Sequence, residues 1–197
     1  MSHGSEKESL DVCGISGVWG AADPETVELM MARLEHRGPD AAGIHAPSCG
    51  SGVLGHRRLS IMDPQGGHQP IHNENRTKAI IANGEVYNFP QVLPQLARSH
   101  RFRTTSDSEA ILHLYEDKGS DAVQHLDGMY AFAIADENAL FAARDPIGIK
   151  PLYYGRTGKR FYFASELKAF ATPNLKVHEF PPGTCYPSSH GFRTFYT

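Results

Sequence analysis

The stretch MYAFAIADENALFAARDPIGIKPLYYGRTGKRFYFAS, residues 129–165, decides the fold class. It holds four short runs, 129–135, 139–144, 151–155 and 160–165, rich in aromatic and small apolar residues and separated by turns of Gly, Pro, Asp or Asn. That texture predicts an antiparallel meander. Upstream the period changes. Ser106-x-x-Glu109 makes a capping box, and Ala110, Ile111, Leu114 and Tyr115 give the apolar stripe of a helix over 107–118. Val92, Leu93, Leu96 and Ala97 predict a shorter helix over about 89–99, with Pro94 tolerable only near its first turn. A third helix starts at Asp23-Pro24, carries Val27, Met30, Met31 and Leu34 on one face, and stops at Arg37-Gly38-Pro39. Residues 14–20, 52–54 and 78–82 read as strands, the last closed by Asn83-Gly84, and the glycines and prolines of 63–70 predict a loop. Strands and helices come in groups without βαβ alternation, so the expected fold is α+β, with helices layered on sheets.

With 197 residues the chain suits one domain with a substantial core. Lys and Arg total 19 and Asp and Glu 22, a net charge of −3, with no block of like charge, so nucleic-acid binding has no electrostatic footprint. Cys13, Cys49 and Cys185 are too few and too far apart for a disulfide framework, and no Cys-x-x-Cys pair suggests zinc. A reducing cytoplasm is expected. Residues 1–12 are polar, unlike a signal peptide, and no stretch approaches the ~18 apolar residues of a membrane span. Among 11 histidines the only close pair, His68 and His72, is interrupted by Pro70, so no metal site is expected.

What remains is a set of residues that suits amide chemistry. Cys13 offers a thiol nucleophile, Asn83 and the Gly84 backbone N–H could hold an oxyanion, and Arg58 with Glu85 or Asp107 could grip the carboxylate and ammonium of an amino acid. Each has an ordinary reading too. A lone cysteine is usually a small buried hydrophobe, Asn-Gly usually a turn, Arg58 a surface charge, and Asp107 a helix cap. No histidine is tied to Cys13 by a recognisable motif, which leaves the cysteine's own α-amine as base: its pKa of about 8 suits proton transfer at neutral pH when it is free.

The segments CGISG, HRGPD, HRRLSI, NGEVYN, TSDSE, DGMYAFAI, ARDPIGIKPLYY and FASELKA occur in one order over Cys13 to about Tyr196. In this the chain resembles the class II, N-terminal nucleophile glutamine amidotransferase domain of glutamine-dependent asparagine synthetases. The resemblance implies a four-layer αββα sandwich of the N-terminal nucleophile hydrolase type, and a glutaminase that frees ammonia from glutamine through a glutamyl thioester on Cys13. It implies catalytic roles for Cys13, Asn83 and Gly84, substrate-binding roles for Arg58, Glu85 and Asp107, and a loop beside the nucleophile built from residues 36–40. The implied partners are glutamine and a synthetase domain or subunit, and a homodimer is compatible with the pattern. No SGG-x-DS pyrophosphatase loop occurs in the sequence, so ATP and magnesium would belong to a synthetase domain elsewhere, and no cofactor is expected here. Val12 acylates Cys13 in the chain as written, and an amide nitrogen is not a base. Residues 1–12 are accordingly expected to be a leader preceding a domain over 13–197. The alternative is a silent glutamine-binding or scaffold module, blocked by those residues.

Overall fold

The computed structural model describes residues 13–59 and 68–196, so the expected leader over 1–12, residues 60–61 of HRRLSI and most of the expected loop over 63–70 lie outside them. The strands are β1 (Gly14–Trp19), β2 (Ala41–His45), β3 (Gly52–Arg58), β4 (Ile71–His72), β5 (Lys78–Val86), β6 (Gly128–Asp136), β7 (Ala139–Arg144), β8 (Tyr153–Thr157), β9 (Arg160–Ala164), β10 (Val177–Glu179), β11 (Thr184–Pro187) and β12 (Arg193–Thr194). The helices are α1 (Pro24–Arg33), α2 (Phe89–Leu96) and α3 (Asp107–Lys118). Two sheets form, ordered β10-β8-β9-β1-β3-β2 and β12-β11-β7-β6-β5-β4.

Strand periodicity then builds the layers. Ile15, Trp19, Leu54, Phe161 and Phe163 of the first sheet meet Ile81, Ala131, Ala133, Ala135 and Ala142 of the second, so large side chains on one inner face fill the space left by alanines on the other. Gly17 is part of that fit, since a Cβ there would lie 2.4 Å from the Phe163 ring. Val27, Met30, Met31 and Leu34 of α1 and its following turn cover the outer face of the first sheet. Val92 and Leu96 of α2, with Ala110, Ile111 and Leu114 of α3, cover the outer face of the second. The result is the αββα sandwich that the resemblance implied.

Several local expectations need correction. The four runs over 129–165 are not one meander: β6 and β7 lie in the second sheet, β8 and β9 in the first. The crossing is held by two side chains. Arg144 donates to the carbonyls of Lys150 (2.8 Å), Gly148 (2.9 Å) and Phe180 (2.7 Å), while the Asp145 carboxylate accepts the N–H groups of Ile149 (2.9 Å) and Lys150 (3.0 Å). Asn83-Gly84 does not end its strand either. Asn83 pairs with Ala131 and Gly84 with Tyr130, and the ladder runs on to Val86 opposite Gly128. Strand β3 runs to Arg58 rather than Leu54 because its polar residues His56 and Arg58 are buried. Helix α2 ends at Leu96 and keeps Pro94 inside it, which costs little because the missing N–H would have served only the first-turn carbonyl of Pro90. At α3 Ser106 caps the N–H of Ser108 at 3.3 Å, but Glu109 reaches past Ser106 to the N–H groups of Arg103 (2.8 Å) and Thr104 (2.7 Å).

One buried group ties the sheets together. His56 is 1% exposed, and its Nε2 donates across the gap to the Ala82 carbonyl at 3.2 Å. Burial, together with the nearby Arg58 charge, pushes its pKa down to about 4 despite that hydrogen bond. The unfolded chain therefore binds a proton that the folded chain refuses between pH ~6.5 and ~4, and stability falls as pH falls through that window. The loss attributable to His56 should be on the order of 3 kcal/mol. His45, also pushed down to about 4 by burial and by His72, adds to the same slope. Urea midpoints recorded from pH 7 to 4 should fall steeply in the native chain and less steeply in His56→Gln, and parallel curves would refute the assignment.

Candidate active site

Cys13 stands immediately before β1, with Ile15 two residues on facing the gap between the sheets. Its position is fixed by backbone contacts. Ile15 donates its N–H to Ser165 Oγ at 2.9 Å and accepts the Ser165 N–H at 2.9 Å. Arg37 Nε donates to the Cys13 carbonyl at 3.1 Å, and Arg37 Nη1 reaches Glu166 at 2.8 Å. Glu166 also pairs with His36 at 2.9 Å. Burial pushes the Glu166 carboxyl up, but the hydrogen bonds from Arg37 and His36 outweigh that and hold it at about 2. Arg37 of the HRGPD segment thus contacts the main chain of Cys13. Ser165 and Glu166, from FASELKA, carry a role that sequence reasoning missed, because nothing local says that residues 150 positions away complete the end of β1.

Asn83 and Gly84 sit on β5, across the gap. Alternation along β5 puts Ile81 among the inter-sheet residues and Ala82 on the helix side, so Asn83 faces inward. Asn83 is 2% exposed, and its Nδ2 has no hydrogen-bond partner among the described residues. A buried amide donor left without an acceptor costs about 1–3 kcal/mol and calls for an explanation. Gly84 has φ of 150°, and a Cβ there would lie 2.0 Å from the Met129 carbonyl oxygen. Only glycine fits.

Arg58 ends β3 at the inward parity of Leu54 and His56, and is 6% exposed. The two carboxylates flank the end of β5: Glu85 shares the inward parity of Asn83 and is exposed, whereas Asp107 comes from α3 on the outer side. Asp107 Oδ2 accepts the Val86 N–H at 2.6 Å. Burial first, and then the Glu85 charge, raise the Asp107 pKa against the hydrogen bonds that it accepts from the Val86 and Ser108 N–H groups. Two carboxylates near the end of β5, one of them exposed and one half-buried, suit a cation. An open cleft of about 260 Å³, lined by Pro151, Tyr153, Ser165, Glu166, Leu167 and Lys168, adjoins the Cys13 end of β1. A larger cleft of about 410 Å³ lies at the opposite end of β1, against Trp19 and Arg160, too far along the strand to share this chemistry.

Comparison with known proteins comes to the same place. Residues 12–181 match the family model for a glutamine amidotransferase domain. Asparagine synthetase (glutamine-hydrolyzing) 2 of Arabidopsis thaliana is 43% identical over 190 residues, covering 91% of this chain and 32% of the relative. A probable asparagine synthetase (glutamine-hydrolyzing) of Dictyostelium discoideum is 44% identical over 164 residues, 81% of this chain and 29% of the relative. The chain spans about a third of the length of the curated relatives it matches. Among solved structures, the glutamine phosphoribosylpyrophosphate amidotransferase of B. subtilis superposes with a TM-score of 0.77 at 27% identity, covering 92% of this chain and 48% of the other.

Because Gly84 has a main-chain oxygen where a Cβ would go, Gly84→Ala should lower stability by about 2 kcal/mol or more, read from urea denaturation. A native-like midpoint would mean that β5 can shift there freely.

Proposed function

The chain belongs to the glutamine amidotransferase family, and from that premise we propose that it hydrolyses the side-chain amide of glutamine at Cys13 and passes ammonia to a synthetase domain or subunit outside these 197 residues. The observation that carries this reading is the unpartnered donor of Asn83, buried and inward-facing beside Gly84, across the gap from the strand that Cys13 begins. It supports a preformed oxyanion site, whose donors wait for a charge that exists only during the reaction.

In the proposed sequence, the free α-amine of Cys13 takes the thiol proton as sulfur attacks the glutamine amide carbon. The carbonyl oxygen becomes an oxyanion, received by Asn83 Nδ2 and the Gly84 N–H. The amine hands its proton to the departing nitrogen, ammonia leaves, and a glutamyl thioester remains. Water, deprotonated by the same amine, cleaves the thioester to glutamate and regenerates the thiol. Arg58 pairs with the substrate carboxylate, and Asp107 with Glu85 receives its ammonium. This domain needs no cofactor for those steps. ATP and magnesium would belong to activation of the ammonia acceptor on the synthetase domain or subunit. A reducing, cytosolic setting fits a thiol enzyme with three unpaired cysteines. Among the described residues no helix is long and apolar enough to cross a membrane.

One observation favours a second reading, the silent module: Val12 blocks the amine that the mechanism needs. The two separate cleanly. A chain beginning at Cys13 should hydrolyse glutamine, whereas the 197-residue chain with Val12 verified in place by intact mass should not. Cys13→Ala in the shortened chain should abolish turnover, and Asn83→Ala should cost about a hundredfold in kcat. Asp107→Asn should act mainly through KM, raising it at least tenfold. For the native shortened chain, KM should climb on acidification at a pH above the ordinary aspartate range, because Asp107 must be ionised to bind and its pKa is raised. Equal glutaminase activity in the two chain lengths would overturn the amine's role, and a shortened chain with no activity would leave the silent module.

A further inference from the structure

Two histidines and two glutamates far apart in sequence meet on the outer face of the second sheet. Glu74 comes from the turn between β4 and β5, His100 from the segment after α2, and His113 and Glu116 from one face of α3, three positions apart. One ligand atom from each of the four lies within 4.8 Å of all the others. His113 Nδ1 is 2.8 Å from Glu116 Oε2, and His100 Nδ1 is 3.6 Å from the same oxygen and 3.7 Å from Glu74 Oε1.

The surroundings are organised as those of a metal site usually are. His100 Nε2 sits 2.9 Å from Asp117 Oδ1, and His113 Nε2 faces Glu109 Oε1 at 3.6 Å, so each imidazole has a carboxylate behind it. Glu116 Oε1 accepts from Asn73 Nδ2 at 2.7 Å, and Glu74 Oε1 accepts the Arg101 N–H at 2.8 Å. The His113 side chain is fully buried and its Nε2 lacks a proper hydrogen bond, while the two rings stack with centroids 4.4 Å apart. Two packed imidazoles ringed by the carboxylates of Glu74, Glu109, Glu116 and Asp117 make an electronegative cluster whose burial is eased by positive charge, which a bound cation would supply.

We propose that Glu74, His100, His113 and Glu116 bind a divalent first-row transition metal of the zinc type. Two neutral imidazoles and two carboxylates match the ligand class and the number of a closed tetrahedral site, and the two carboxylate charges cancel those of a dication. The expectation of no metal rested on sequence spacing. His113-x-x-Glu116 is the only local trace of this cluster, and its two other members arrive through the fold. The site would join three segments outside the proposed catalytic residues, and its role would be structural.

Zinc added to the purified 197-residue chain should raise its thermal midpoint, and competition with a chromophoric zinc chelator should give a dissociation constant. Glu74→Gln and His100→Ala, both partly exposed and tolerable to the fold, should each weaken zinc at least tenfold and reduce the thermal shift. His72→Ala and Cys49→Ser should leave binding as in the native chain. Cobalt(II) should give the visible bands of a tetrahedral site without thiolate charge transfer. No thermal response to zinc, or undiminished affinity in both Glu74→Gln and His100→Ala, would overturn the proposal.

Discussion

A single imidazole sets the distance between the two halves of the site. His56 lies directly opposite Ile15 in the β1–β3 ladder, and its Nε2 reaches across the sandwich to the carbonyl of Ala82. Cys13 is two residues from the first of those positions and Asn83 one residue from the second. The hydrogen bond therefore relates Cys13 and the Asn83 amide through rigid strands rather than loops, which is where the proposed site, needing sub-ångström placement, gains most. Gln69 adds to the clamp from the sheet edge, its amide accepting the Ala82 N–H at 2.5 Å and donating to the Ala82 carbonyl at 3.1 Å. Ala82 is held on both its polar groups, and the strand cannot slide by a residue without breaking both.

The apolar layer between the sheets makes that clamp strong. Alanines from β6 and β7 against phenylalanines from β9 exclude water around His56, which keeps the imidazole neutral and its one N–H committed to Ala82. Neutrality matters for the neighbour as well. Arg58 shares the inner face of β3, and a protonated His56 beside it would repel the guanidinium.

How much of this was legible in the sequence depended on the range of the interaction. Helix α3 was read to the residue because its cap, stripe and end are local signals. The four β runs were identified, but not the change of sheet between β7 and β8. Arg144 and Asp145 look like a turn in sequence, and act as a bracket only once Phe180 and Lys150 are beside them. Asn83-Gly84 misled in the opposite direction, since the commonest use of that dipeptide is to reverse a hairpin, whereas here both residues pair with β6. The candidate site was legible as a list, by family resemblance and by residue type. Its supports, His56, Gln69, Ser165 and Glu166, were not, since each acts on a partner brought close only by the sandwich.

The outer helices complete the argument for β5 as the central element. A twelve-residue helix is marginal alone, so α3 takes its position from what it packs on and what it clasps. Its first residue, Asp107, caps the Val86 N–H, and Glu109 holds the backbone of the preceding loop. Its last turns reach Asn73 and His100 through Glu116 and His113. The inner clamp at Ala82 and the outer one at Val86 use different side chains and different layers, yet they fix the same five residues. Asn83, Gly84 and Glu85 lie between these two fixed points, so the arrangement of the proposed oxyanion donors and the carboxylate pair is a property of the whole sandwich rather than of the NGEVYN segment alone.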